Sequence, residues 1–138
     1  VPAENLTRDE ARTRAALVDV QSYDVTLDLT TGPATFGSTT TVRFTSREAG
    51  ASTFLDLIAP SVHRVVLNGV ELDPSDVVAD SRIRLDGLAA ENEVVVVADC
   101  AYMNTGEGLH RFVDPVDDEV YLYSQFEVAD SRRVFAVF

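Results

Sequence analysis

Val65-Val66-Leu67-Asn68-Gly69-Val70-Glu71-Leu72 decides the fold class. Asn-Gly supplies the two positive-φ positions of a two-residue type I′ turn, and the apolar residues on either side supply the strands such a turn joins. The octapeptide therefore predicts a β-hairpin. Upstream, Tyr23, Val25, Leu27 and Leu29 alternate with Asp24, Thr26, Asp28 and Thr30, a half-buried strand ended by Thr31-Gly32-Pro33. Thr40, Val42 and Phe44 alternate with Thr39, Thr41, Arg43 and Thr45 in a second strand. Thr53, Leu55 and Leu57 make a third, and Pro60 breaks the chain. Downstream, Arg82 to Leu85 is a short strand closed by Asp86-Gly87. Val94-Val95-Val96-Val97 lacks polar alternation, so the strand from Glu93 to Ala98 is expected to be covered on both faces and among the most buried. A last strand runs from about Glu119 to Phe126.

Ahead of these strands, Thr7-Arg8-Asp9-Glu10 is a capping box, and Ala11, Ala15, Ala16 and Leu17 continue a helix over about residues 8–17, with Arg12 and Arg14 on its solvated face. This is expected to be the only helix. Close-spaced short strands with turns between them define an all-β fold, a twisted saddle-like β-sandwich of mostly antiparallel strands forming a single domain over residues 1–138.

Composition narrows the function. The chain holds 23 acidic residues against 11 basic ones, all arginine, for a net charge of −12. Such a surface repels a phosphate backbone and an anionic bilayer, so neither nucleic acid nor membrane is an expected partner. It favours cationic ligands, amines among them. Apolar residues make up 46% of the 138, enough for a core without staples. Cys100 is the single cysteine, so no intrachain disulfide forms, and the first residues lack a basic stretch followed by an apolar one; both fit a cytoplasmic protein. His63 and His110 are the only histidines, and H-E-x-x-H, P-loop and G-x-S-x-G patterns are absent, so no complete catalytic constellation is present.

Residues 102–138 have a different character. Tyr102 to Phe112 is a glycine-bearing loop, and Val113 to Glu119 an acidic turn. On the strand that follows, alternation places Val120, Leu122, Ser124 and Phe126 on a core face and Tyr121, Tyr123, Gln125 and Glu127 on the other. That second face offers rings, an amide and an anion together.

Gly106-Glu107-Gly108-Leu109-His110, Tyr123-Ser124-Gln125-Phe126-Glu127 and Asp130-Ser131-Arg132-Arg133-Val134-Phe135 resemble the amino-terminal domain of the M1 family of zinc metallo-aminopeptidases, in its bacterial aminopeptidase N branch. Ser22 to Leu29 is similar to that domain's opening strand and Val66-Leu67-Asn68-Gly69 to its hairpin, so the resemblance runs from about Asn5 to Phe138. It departs from the commoner pattern at Val128 and Ala136, where proline is frequent.

The resemblance implies a β-saddle that caps a thermolysin-like catalytic domain carrying G-x-M-E-N and H-E-x-x-H. It implies a parent enzyme, of the membrane alanyl aminopeptidase type, that binds zinc through ligands outside this chain, with no metal held by residues 1–138 and no activity in them alone. Position by position, Gln125 matches the glutamine lining the pocket for the substrate's first side chain, and Glu127 the acid that holds the substrate's α-amine; no catalytic residue is implied. The implied partners are the parent catalytic domain and the amino terminus of a peptide. The family usually continues beyond the position of Phe138, so open strand edges and self-association through them are expected. The competing reading is a free-standing β-sandwich module binding protein or carbohydrate through Tyr121 and Tyr123.

Simpler roles are expected elsewhere. Arg132 and Arg133 read as structural ion-pair partners, and Asp114, Asp117, Asp118 and Glu119 as a solvated turn whose spacing is not that of a calcium loop. His110 reads as a hydrogen-bonded structural residue, Cys100 as a small buried hydrophobe, and Asn5-Leu6-Thr7 as a chance sequon.

Overall fold

The computed structural model describes residues 6–126 and 130–138. Helix α1 (Arg8–Leu17) opens as the capping box requires: Glu10 N–H donates to Thr7 Oγ1 at 3.1 Å, and Thr7 N–H donates to Glu10 Oε1 at 3.0 Å. Then come β1 (Val18–Asp28), β2 (Thr35–Ser46), β3 (Thr53–Asp56), β4 (Ser61–Leu67) and β5 (Val70–Leu72). A single helical turn, α2 (Pro74–Val77), precedes β6 (Val78–Ala79), β7 (Arg82–Leu85) and β8 (Glu91–Ala101). The chain continues as β9 (Gly108–Val113), β10 (Val120–Gln125) and a 3₁₀ turn over Asp130–Arg133. α1 is therefore not the only helix: Asp73 caps α2, its carboxylate accepting from Ser75 N–H at 2.9 Å, and Pro74 stands where a first-turn proline is tolerated.

All strand pairs are antiparallel, in three sheets ordered β1-β2-β8-β4-β5, β3-β7-β6 and β10-β9. The first two enclose the core. Phe36, Val42, Phe44, Val65, Val94 and Val96 from the larger sheet meet Leu55, Ile83 and Leu85 from the smaller, all essentially without solvent contact. Each such side chain contributes about 1.5–3 kcal/mol by leaving water. Asn68 and Gly69 have φ of 51° and 81° and join β4 to β5 in the expected two-residue hairpin.

Four side-chain placements differ from the sequence expectation. Within β8 only alternate valines are fully buried; Val95 and Val97 are half-buried, because the outer face of the large sheet is not fully covered. Tyr23, Val25 and Leu29 are exposed, since β1 is an edge strand and among the described residues no strand pairs with its outer side. Arg14 is buried and not solvated, because it meets a carboxylate inside the fold. Val120, Leu122, Ser124 and Phe126 are not a core face: every residue of β10 is exposed, whereas β9 buries Gly108 and Leu109, so the ribbon meets the sandwich through β9 alone. The expected glycine loop is itself half strand, Gly108 to Val113 being β9.

Candidate functional site

The ribbon carries the candidate site. Its register sets Tyr121 opposite Phe112, Tyr123 opposite His110 and Gln125 opposite Gly108. Tyr123 stacks on the His110 ring with centroids 4.5 Å apart and planes 22° off parallel. His110 Nδ1 accepts from Gly106 N–H at 3.0 Å, so the ring ties the Gly106 corner to the ribbon and has the structural role expected of it. The aromatic face thus ends in Gln125, which is exposed and lies across from a residue without a side chain. Glu127, and with it Val128, lies outside the described residues.

At the far end the acidic residues close on themselves. Asp114 accepts from Val116 N–H and Asp117 from Glu119 N–H, both at 2.8 Å, and Tyr121 O–H donates to Asp117 at 2.7 Å. That last bond holds the Asp117 carboxyl below its usual range and pushes the Tyr121 phenol up. The carboxylates cap backbone N–H groups, as in a solvated turn.

At the near end, Arg133 forms ion pairs with Glu107 at 3.3 Å and Asp130 at 3.5 Å, the structural role expected of it. Arg132 is buried, and its carbonyl accepts from Ile58 N–H at 2.7 Å. The pairing of Arg133 with Glu107, 26 positions back in sequence, has no local signal in the sequence.

Among the described residues, no three His, Cys, Asp or Glu side chains converge to hold a metal. His63 pairs with Asp99 at 2.8 Å on the surface of the large sheet, away from the ribbon. An open cleft of about 550 Å³ beside Gln21, Phe44 and Asn92 is also separate, and its polar groups are satisfied internally: Asn68 donates to Asn92 at 2.9 Å, and Arg43 pairs with Glu93 at 3.0 Å.

Over an alignment 141 positions long the chain is 60% identical to aminopeptidase N of Streptomyces lividans, a match covering all of this chain and 16% of that protein. The chain fits the amino-terminal domain of an M1 aminopeptidase of the aminopeptidase N type. Residues 1–138 thus span a small part of the length of the aminopeptidase N they match. The fold is shared with Legionella pneumophila aminopeptidase A, solved in complex with aspartic acid, at a TM-score of 0.70 and 14% identity over 87% of this chain and 14% of that one. No protein-family model matches the chain. No helix among the described residues is long and apolar enough to cross a membrane.

Proposed function

We propose that this chain is the substrate-capping amino-terminal domain of a cytoplasmic zinc aminopeptidase, whose metal ligands and catalytic groups lie outside residues 1–138. The observation that carries the reading is the 60% identity to aminopeptidase N along the whole chain. In it, Gln125 lines the pocket for the substrate's first side chain and Glu127 binds the free α-amine. A peptide α-amine, with a pKa of about 7.7–8.0, is mostly cationic at neutral pH. A fixed carboxylate gives it charge-assisted hydrogen bonds and so measures the peptide from its free end. The net charge of −12 supports a cationic ligand.

The ribbon supports a docking role toward the parent catalytic domain. Phe112, Tyr121, Tyr123 and Phe126 are all exposed on or beside it, and contiguous exposed apolar surface marks an interaction site. The chain alone is inactive in this reading, and self-association, where it occurs, runs through the outer edge of β1.

The test is steady-state kinetics on the full-length enzyme. Glu127→Gln keeps the size and removes the charge, and should lower kcat/KM about ten- to a hundredfold, mostly through KM. Gln125→Ala should change the preference among first side chains with less effect on a minimal substrate. N-acetylated substrates, which lack the cation, are the control. Wild-type efficiency in Glu127→Gln would remove the main support for the reading.

A further inference from the structure

Gln125 is the last residue of β10 and Gly108 the first of β9, so their pairing closes one end of the ribbon. A two-stranded ribbon is marginal by itself, and its terminal pair frays first. Among the described residues no strand pairs with the outer edge of β10, β9 is braced on its other edge only by Met103 through backbone bonds of 2.9 Å with Leu109 and Arg111, and every β10 residue is exposed. A side chain that must present an amide to a substrate in fixed geometry needs that end held from outside.

The 3₁₀ turn over Asp130–Arg133 does so. Arg133 Nη2 lies 3.3 Å from Glu107, the residue before Gly108, and its Nε 3.5 Å from Asp130. One guanidinium thereby joins the two chain segments that flank the Gln125 end of the ribbon. Gly108 has a φ of +61°, and a Cβ built there would stand 2.9 Å from Arg133 Cβ and 3.4 Å from its Cδ. Glycine is thus required at 108 twice over, by a left-handed backbone and by the arginine stem occupying the space. The Arg133 side chain is only 25% exposed, so its stem packs as well as its head pairing. The turn is in turn fixed to the core: Ile58 N–H donates to Arg132 O at 2.7 Å, and Ser38 of β2 donates to the adjoining Val134 O at 2.7 Å.

We propose that Arg133 and Gly108 form a clamp that positions Gln125, Arg133 acting as a positioning residue and not as a ligand of the substrate. The inference rests on the reading of Gln125 as a pocket residue. The clamp locks the last ribbon pair to the sandwich, so that substrate preference depends on a contact the substrate never touches.

The test uses the full-length enzyme and two aminoacyl substrates that differ in the first side chain, with Arg133→Met, Arg133→Lys, Gln125→Ala and the double variant Gln125→Ala/Arg133→Met. Arg133→Met should shrink the ratio of the two kcat/KM values by about threefold, the scale of a partly exposed ion pair. The change should lie in KM, with kcat on the minimal substrate retained. Arg133→Lys, which keeps the charge, should give an intermediate ratio. The double variant should match Gln125→Ala alone. Gly108→Ala should repeat the effect without touching a charge; if it does not fold, the Arg133 series decides. A wild-type ratio in Arg133→Met, while Gln125→Ala changes it, overturns the clamp and leaves the Gln125 reading standing. Multiplicative effects in the double variant, or a uniform kcat loss that tracks thermal stability, overturn the clamp too. An unchanged ratio in Gln125→Ala overturns the underlying reading and the clamp together.

Discussion

Arg14 on α1 and Asp56 at the end of β3 form an ion pair of 3.0 Å with both side chains about nine-tenths buried. Arg14 also donates to Phe54 O at 3.1 Å, and its guanidinium lies 4.6 Å from the Phe54 ring centroid. Arg82 lies 4.4 Å from the same centroid. Phe54 is therefore held by two cations, and α1 is bolted to the small sheet by charge as much as by apolar packing.

Removing one member of that pair leaves the other charged and buried. Arg14→Met should lower unfolding stability by about 3–5 kcal/mol in urea titration. Arg14→Met combined with Asp56→Leu removes both charges and should recover most of the loss. A double variant as unstable as the single one would place the cost in packing and not in the stranded carboxylate.

Glu10 makes a pH-dependent counterpart. Its hydrogen bonds with Arg82, then with Thr7, pull its carboxyl from 4.5 down to about 2. A carboxyl with a lowered folded-state pKa contributes stability that is fully present above the unfolded value and is lost as pH falls through the folded one. The melting temperature should therefore drop between about pH 4.5 and 2, and Glu10→Gln should flatten that part of the curve. An identical acid limb in the variant would assign the loss to other carboxylates.

Cys100 is fully buried beneath Val134 O, and burial pushes its thiol up to about 11. Only the thiolate reacts with alkylating agents. Native protein at pH 8 should stay unmodified by iodoacetamide and take up one equivalent after denaturation, read by intact mass. Rapid native labelling would mean the β8 end opens often.

At Gly69, φ is +81° and an added methyl would meet nothing within 4 Å. Gly69→Ala tests the hairpin through backbone strain alone and should cost about 1 kcal/mol in thermal unfolding. A neutral outcome would mean the turn relaxes to another type.

These residues also mark what the sequence makes legible. Asn68-Gly69 and the Thr7–Glu10 box are local rules, satisfied by neighbours in sequence, and both appear where expected. Arg14 is not legible, because a helical arginine looks solvated until a carboxylate 42 positions away is known to face it. The apolar alternation of β10 was legible as a pattern and misleading as burial: periodicity encodes which residues share a face, not whether anything covers it. The strand placement of Gln125 follows from the same periodicity, whereas the contact of Arg133 with Glu107 depends on tertiary packing.

The buried hydroxyls of β2 have a consequence for biosynthesis. Ser38 donates to Val134 O at 2.7 Å and Thr40 accepts from Ala136 N–H at 3.3 Å, each across 96 positions of sequence. While the polypeptide leaves the ribosome, β2 emerges early, and sealing those hydroxyls without partners would cost about 1–3 kcal/mol each. Both bonds become available only when residues 134–136 clear the exit tunnel. Nascent chains halted before that point lack those two bonds and should present a looser interior to chaperones and proteases than chains a few residues longer.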